Sequence, residues 1–175
     1  EAPEDQRRAF PDVPYLAAGR RLGEAVLKAM KFRTGFTHME WHLKADGEAV
    51  FGEIAARPPG AQFTSLLSWA HDHDFYSAWA RLIIFEEFDK PERKFSAGAA
   101  YLRGQGQGRV KALHGVEQIQ RELGPLIVEQ KLPRIGQQPT GAYDGEGFII
   151  LRHPQTEVVE RGLNQIVSTV RVELG

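Results

Sequence analysis

The sequence predicts an α+β fold in which a mostly antiparallel sheet is flanked by helices. Segments with helical spacing of apolar residues are interleaved with short strand-like segments, and one Asp-Gly pair separates two of these at the spacing of a tight hairpin. The 175 residues are 42% hydrophobic and 26% charged, the composition of an ordinary globular protein. A chain of this length can bury a substantial core in one compact domain without disulfide or metal staples.

The charges are balanced, with 22 Lys and Arg against 23 Asp and Glu and a formal net charge of -1. This balance gives no electrostatic reason to expect a nucleic acid or an anionic membrane surface as partner. Cysteine is absent, which excludes a disulfide framework, a thiol nucleophile and thiolate metal ligands. The lack of cysteine, of a signal peptide and of an apolar segment of ~20 residues favours a cytoplasmic protein.

The first part of the chain is expected to contain an arm, a helix and a hairpin. Residues 1–14 are charged, include three prolines and lack periodicity, as is typical of an arm, and residues 15–175 are expected to form the domain. Apolar residues recur at helical spacing from Tyr15 to Met30, which predicts a helix with one buried side. The segments Thr37–Leu43 and Glu48–Ile54 flank the Asp-Gly pair and are predicted as two antiparallel strands.

Two short helices are expected after the hairpin. The segment Arg57-Pro58-Pro59-Gly60 ends the second strand, because neither proline can donate to a ladder and the glycine permits a sharp bend. Residues Gln62–Phe88 have helical spacing that is broken by the polar segment His71–Asp74. The positions assigned to packing in these helices are Leu66, Trp69, Ala70, Trp79, Leu82, Ile83, Phe85 and Phe88.

The second part of the chain alternates between strands and helices. The predicted strands are Phe95–Leu102, Arg109–Leu113, Leu126–Lys131 and Phe148–Leu151. The predicted helices are Val116–Leu123 and a last helix whose Val159, Leu163, Ile166 and Val170 share one side. The Gly-rich stretch 104–108 lacks the glycine spacing of a dinucleotide-binding turn and is predicted as a flexible hairpin turn.

Polar side chains of the predicted hairpin form the candidate site. Alternation along a strand places His38, Glu40 and His42 on one face, and Glu53 on the neighbouring strand can lie opposite or diagonal to Glu40. Two such carboxylates repel each other unless a cation lies between them, and oxygen ligands favour Mg²⁺ or Mn²⁺ together with phosphate oxygens. Arg57 follows shortly after Glu53, where its guanidinium can clamp a phosphate or a carboxylate. This set indicates phosphoryl chemistry.

Other interpretations of the polar residues stay open. His38 and His42 could bind zinc with the glutamate between them, and the two glutamates could be solvated strand residues. The segment His71–Asp74 is expected to be a polar turn between helices rather than a metal cluster. Arg152 and His153 close a strand ahead of the last helix, where they could help to hold an anion or form a salt bridge with a neighbouring carboxylate.

The hairpin resembles the C-terminal catalytic hairpin of the ATP-grasp superfamily of carboxylate-amine ligases. The segments His38-Met39-Glu40 and Glu53-Ile54-Ala55-Ala56-Arg57 match the family's pattern of one glutamate on a first strand and Glu-x-Asn-x-Arg on the next, except that Ala55 replaces the asparagine. These segments and the later Gly147–Pro154 are similar to the branch that includes L-amino-acid ligases, related to the large chain of carbamoyl phosphate synthetase. The resemblance implies an ATP-grasp C-terminal subdomain for residues 15–175.

The resemblance also implies a reaction and roles for individual residues. Ligases of this family phosphorylate a small-molecule carboxylate with Mg²⁺-ATP, and an amine or another nucleophile then displaces phosphate. By analogy, Glu40 and Glu53 bind Mg²⁺ or Mn²⁺ that bridges the phosphates of the ATP cosubstrate, and Arg57 binds and steadies the transferring phosphoryl group. His38 is implied as a further catalytic residue near the phosphates.

The resemblance covers only part of such an enzyme. The family also uses an upstream glycine-rich loop and lysines that contact the phosphates, and no segment before Thr37 matches them. The implied partner is a missing N-terminal ATP-grasp segment or subunit, and the chain alone is expected to be inactive, with a homodimer as one candidate assembly. The alternative function is a non-catalytic ATP-grasp-like remnant or split subunit that acts as a scaffold or interaction module.

Overall fold

The computed structural model describes residues 14–142 and 144–175. These residues divide into two compact units. The first unit consists of the residues up to Gly60 together with Tyr76–Lys90, and the second consists of Ala61–Phe75 together with Pro91–Gly175. The candidate hairpin lies in the first unit.

Helices and short strands are mixed along the chain, which confirms the predicted α+β class. In chain order the elements are α1 (Pro14–Ala29), β1 (His38–Leu43), β2 (Ala49–Ala55), α2 (Phe63–His71), α3 (Phe75–Phe85), β3 (Ser96–Leu102), β4 (Gly104–Gln105), β5 (Val110–His114), α4 (Val116–Leu123), a 3₁₀ turn (Gly124–Leu126), β6 (Ile127–Lys131), β7 (Gly147–His153), α5 (Thr156–Thr169) and β8 (Arg171–Leu174). No helix of the described residues is long and apolar enough to cross a membrane.

The predicted arm at residues 1–14 lies outside the described residues except for Pro14. This proline begins helix α1 instead of ending the arm. A proline is tolerated there because the first N–H groups of a helix have no intrahelical partner and its fixed φ suits a helix. The predicted helix is confirmed, with both of its ends shifted by one residue towards the N-terminus.

In the first unit, helix α1 covers one face of the hairpin formed by β1 and β2. The indole of Trp41 lies so close to Gly19 that an added Cβ there would be 2.4 Å from it, and a Cβ added at Gly23 would lie 3.5 Å from Met39 Cε. Both contacts involve odd-numbered residues of β1, so this set faces the helix. The even-numbered residues of β1 therefore lie on the opposite face.

Within its described residues, the second unit contains two three-stranded sheets. In one sheet β7 lies between β3 and β6 and is antiparallel to both, and in the other β8 lies between a parallel β4 and an antiparallel β5. Helix α5 packs onto the first sheet, where Leu163 contacts Gly98 and Gly162 contacts Leu151. The side chains with 0% exposure are Ile119, Ile149, Ile150, Leu151 and Ile166.

Two short strands of the second unit are absent from the sequence-based prediction. The Gly-rich stretch is not only a turn, because its first two residues form β4 beside β8. Only Val170 separates helix α5 from strand β8. The apolar spacing of the sequence assigns this residue to the helix, but in the structure it is the C-cap of the helix. Segments of two and four residues are too short to show a period, and their pairing depends on partners distant in sequence.

Three positions assigned to packing in the second of the two short helices are exposed instead. Ile83 and Phe85 are each 62% exposed and Phe88, beyond the end of α3, is 40% exposed, whereas Ala78 and Leu82 are buried. Helix α3 is apolar over most of its circumference, so spacing along the sequence cannot distinguish the buried stripe from the exposed one. The burial of Leu82, by contrast, is confirmed.

Arg152 forms a salt bridge, one of the two roles considered for it. Its Nη1 lies 3.0 Å from Asp72 Oδ1, and its guanidinium lies 4.3 Å from the ring centroid of Phe95 and 5.4 Å from that of Trp69. Asp72 belongs to the polar turn between α2 and α3, where it adopts a left-handed conformation with φ of 53°. The turn predicted at His71–Asp74 is therefore confirmed, and one of its carboxylates holds Arg152.

Glu173 on β8 gives the second unit a pH-dependent contribution to stability. Its Oε2 is hydrogen-bonded to His114 Nε2 at 2.9 Å, and its Oε1 lies 3.3 Å from Lys111 Nζ. The hydrogen bond with His114, followed by the interactions with Lys111, lowers the pKa of Glu173 below its ordinary value of 4.5. A carboxyl group with a lowered folded-state pKa stabilises the fold above its unfolded-state pKa, and this stabilisation is lost as pH falls through the folded-state pKa.

We therefore expect Glu173→Gln to reduce the pH dependence of the free energy of unfolding. Urea unfolding at about pH 6 and about pH 3 measures this. The wild-type chain should be more stable than the variant at the higher pH, and the difference should shrink as the pH falls towards the lowered pKa of Glu173, because protonation removes the charge that interacts with His114 and Lys111. An equal difference at both pH values would contradict the expectation.

Candidate functional site

A tight turn aligns the two strands of the hairpin. The Lys44 N–H donates to the Glu48 carbonyl oxygen at 2.9 Å, and Asp46 Oδ1 accepts a hydrogen bond from the Glu48 N–H at 3.0 Å. Gly47 has a φ of +87°, which glycine adopts without a clash of Cβ. The hairpin predicted from the Asp-Gly pair is thus confirmed.

Glu40 and Glu53 lie directly opposite each other on β1 and β2. Both side chains are exposed, and directly opposed residues of an antiparallel pair have Cβ atoms about 4.5–5.5 Å apart. Among the residues that the structure describes, neither carboxylate has an ion-pair partner. Two unpaired like charges in this position are destabilising, so the arrangement fits a divalent cation that takes an oxygen from each.

Two histidines share this face of β1 with Glu40. His38 is half-buried opposite Ala55, and His42 is exposed opposite Val50. Within residues 14–142 and 144–175, no group of three His, Cys, Asp or Glu side chains is placed to hold a metal ion. The zinc alternative therefore lacks a three-ligand set, whereas Mg²⁺ commonly binds through one or two carboxylates and keeps several waters.

Arg57 lies two residues beyond the end of β2, as its spacing from Glu53 predicts. Its side chain is exposed, and its Nη1 donates a hydrogen bond to the carbonyl oxygen of Pro58 at 2.9 Å. Residues 56 and 57 form a bend, so the chain changes direction directly after β2. The guanidinium of Arg57 therefore lies on the bend at the exit of this strand.

The sequence-based prediction misses a β-bulge at Gly52. Trp41 lies opposite Phe51 and Glu40 lies opposite Glu53, so Gly52 is an extra residue without a counterpart on β1. The available signal is the glycine itself, because glycine inside a strand often marks a bulge or a close approach of another backbone. The bulge directly precedes one of the two opposed glutamates.

Comparison with known proteins identifies the fold. No protein-family model matches the chain, and no curated protein sequence matches it. An L-amino acid ligase from Bacillus licheniformis superposes with a TM-score of 0.74 at 17% identity, over 100% of this chain and 44% of that one. An N5-carboxyaminoimidazole ribonucleotide synthetase from Thermotoga maritima superposes with a TM-score of 0.64 at 21% identity, over 92% of this chain and 43% of that one. A phosphoribosylglycinamide synthetase from Anaerococcus prevotii superposes with a TM-score of 0.67 at 16% identity, over 95% of this chain and 44% of that one.

These solved structures are ATP-grasp enzymes, so the chain has the fold of part of an ATP-grasp enzyme. The expectation based on the resemblance of the hairpin is confirmed at the level of the fold. The chain spans less than half the length of each of these three enzymes. At 16–21% identity the similarity concerns the fold, and the chemistry has to be argued from the residues of the hairpin.

Proposed function

We propose that this chain is the C-terminal, metal-binding portion of an ATP-dependent ligase that activates a carboxylate as an acyl phosphate and joins it to an amine or a similar nucleophile. The direct opposition of Glu40 and Glu53 on an exposed hairpin face carries the proposal, since two like charges in this position are destabilising and a cation between them would remove the repulsion. The fold shared with the L-amino acid ligase from Bacillus licheniformis supports it. The coverage of 44% of that enzyme supports a partner segment or subunit that completes the nucleotide site.

In the proposed reaction, an oxygen of the substrate carboxylate attacks the γ-phosphorus of ATP, and ADP leaves. The amine then attacks the acyl carbon, phosphate leaves with the bonding electron pair, and the amine loses a proton. Glu40 and Glu53 hold Mg²⁺, which when bound neutralises charge on the phosphates. Arg57 donates hydrogen bonds to the transferring phosphoryl group and to the acyl phosphate, and His38 donates to the phosphates from the face that carries Glu40.

Ala55 bears on how the metal is held. It lies opposite His38 on the hairpin, at the position where the ATP-grasp pattern usually has an asparagine. Because the side chain of alanine has no ligand atom, Glu40 and Glu53 are the side chains of this hairpin that would hold the metal, together with water and substrate oxygens. Removal of either glutamate should therefore have a large effect on metal affinity.

Mn²⁺ binding to the 175-residue chain tests the proposed metal site. We expect one Mn²⁺ per chain, displaced by Mg²⁺, and binding at least about tenfold weaker in Glu40→Gln because half of the protein's ligand charge is lost. The EPR signal of free Mn²⁺ measures the affinity. Glu48→Gln is a matched control, because Glu48 is exposed on the same hairpin but pairs with Lys44.

Two results would contradict the proposed metal site. One is equal Mn²⁺ affinity of Glu40→Gln and the control variant. The other is the absence of binding by a folded wild-type chain, which would favour the scaffold or interaction module instead.

A further inference from the structure

The bulge at Gly52 divides the hairpin into two parts with different registers. On the turn side, Leu43, His42 and Trp41 lie opposite Ala49, Val50 and Phe51. Beyond the bulge, Glu40, Met39 and His38 lie opposite Glu53, Ile54 and Ala55. The partners of Glu40, Met39 and His38 are thus displaced by one position along β2 relative to the register of the turn side.

This displacement decides the face on which Glu53 lies. If the register of the turn side continued without a bulge, Glu40 would lie opposite Gly52, and Glu53 would lie opposite Met39. Met39 faces helix α1, where its Cε would lie 3.5 Å from a Cβ added at Gly23. Since directly opposed residues share a face, Glu53 would then point towards the helix and away from Glu40.

A side chain at position 52 is incompatible with the bulge. An added Cβ would lie 2.9 Å from the carbonyl oxygen of Glu40 and 3.4 Å from its carbonyl carbon, both of them backbone atoms of the paired strand. The same Cβ would lie 3.7 Å from His42 Nε2, on the face that carries the two carboxylates. Any residue other than glycine would therefore push β1 away at Glu40 and fill space beside the pair.

We propose that Gly52 is a positioning residue that brings Glu53 to the face of Glu40 through the bulge. The purpose of this placement, a shared metal ion, rests on the proposed function. The placement itself does not, because it follows from the register and from the space around Gly52. Deletion of Gly52 should consequently retain the opposition of Glu40 and Glu53, whereas substitution of Gly52 should abolish it.

Deletion of Gly52 should preserve the pair, since Glu53 would then follow Phe51 directly and lie opposite Glu40 in a regular ladder. Gly52→Val should instead favour the regular register of the turn side, in which Glu53 lies opposite Met39. If Gly52 were only a structural residue, removal of a whole residue from a strand would be at least as damaging as its substitution. Gly124→Ala is the control, because an added Cβ at Gly124 meets nothing within 4 Å.

Cross-strand NOEs of the 175-residue chain, measured without metal, test the inference. We expect NOEs between Glu53 and Glu40 in the wild type, the control and the deletion variant, and between Glu53 and Met39 in Gly52→Val. If Gly52→Val does not fold, the NOEs between Glu53 and Glu40 in the deletion variant still test the role of Gly52. NOEs between Glu53 and Glu40 in Gly52→Val, or their loss in the deletion variant, would overturn the role of Gly52.

Mn²⁺ binding of the same variants provides the second measurement. Affinity should fall at least about tenfold in Gly52→Val and stay near that of the wild type in the deletion variant. Loss of affinity in the deletion variant while its NOEs are unchanged would overturn the link between the bulge and the metal. If the NOEs change as expected but the wild type binds no Mn²⁺, the proposed function fails and the positioning role of Gly52 stands.

Discussion

Glu53→Gln is expected to lower ADP release by the complete ligase at least about 100-fold. The substitution keeps the shape and length of the side chain, so the register of the hairpin should be retained. It removes the negative charge of one of the two opposed glutamates, and Ala55 offers no ligand that could replace it. The measurement is ADP release in the presence of Mg²⁺-ATP, a substrate carboxylate and an amine, with this chain joined to the segment or subunit that completes the nucleotide site.

Glu48→Gln is again the matched control for this experiment. It removes the same charge from the same hairpin, but at an exposed residue that pairs with Lys44 beside the turn. Its ADP release should equal that of the wild type. Unchanged ADP release in Glu53→Gln would rule out a metal-binding role of this glutamate, and ADP release without carboxylate and amine would argue against a ligase.

Leu151→Ala is expected to destabilise the second unit by about 2–5 kcal/mol. Leu151 has 0% exposure in the central strand β7 and lies against Gly162 of helix α5, which has no side chain of its own to fill the cavity. The cost therefore combines the lost transfer free energy with that of the cavity. Urea unfolding followed by circular dichroism measures the difference.

Val167→Ala is the control for the core substitution. Val167 lies on helix α5 with 69% exposure, so its truncation should change the free energy of unfolding by no more than about 0.5 kcal/mol. A decrease in the free energy of unfolding of less than about 1 kcal/mol in Leu151→Ala would show that β7 does not form the centre of a close-packed core.

The helices and strands with regular periods could be predicted from the sequence because their determinants are local. Helix α4 spans Val116–Leu123, the range that the sequence predicts, and the Asp-Gly pair marks the hairpin turn. The shared face of His38, Glu40 and His42 could be predicted for the same reason, since it follows from the alternation of side chains along one strand. These features are determined by residues that are close together in the sequence.

Features that depend on contacts between distant residues could not be predicted in this way. Strand β8 is defined by its pairing with β4 and β5. The exposure of Ile83 and Phe85 depends on which side of helix α3 is covered by other residues. Residue spacing left Glu53 either opposite or diagonal to Glu40. The bulge at Gly52 resolves this, because register is set by which backbone atoms meet across the hairpin, and only the folded chain brings Gly52 against the Glu40 carbonyl.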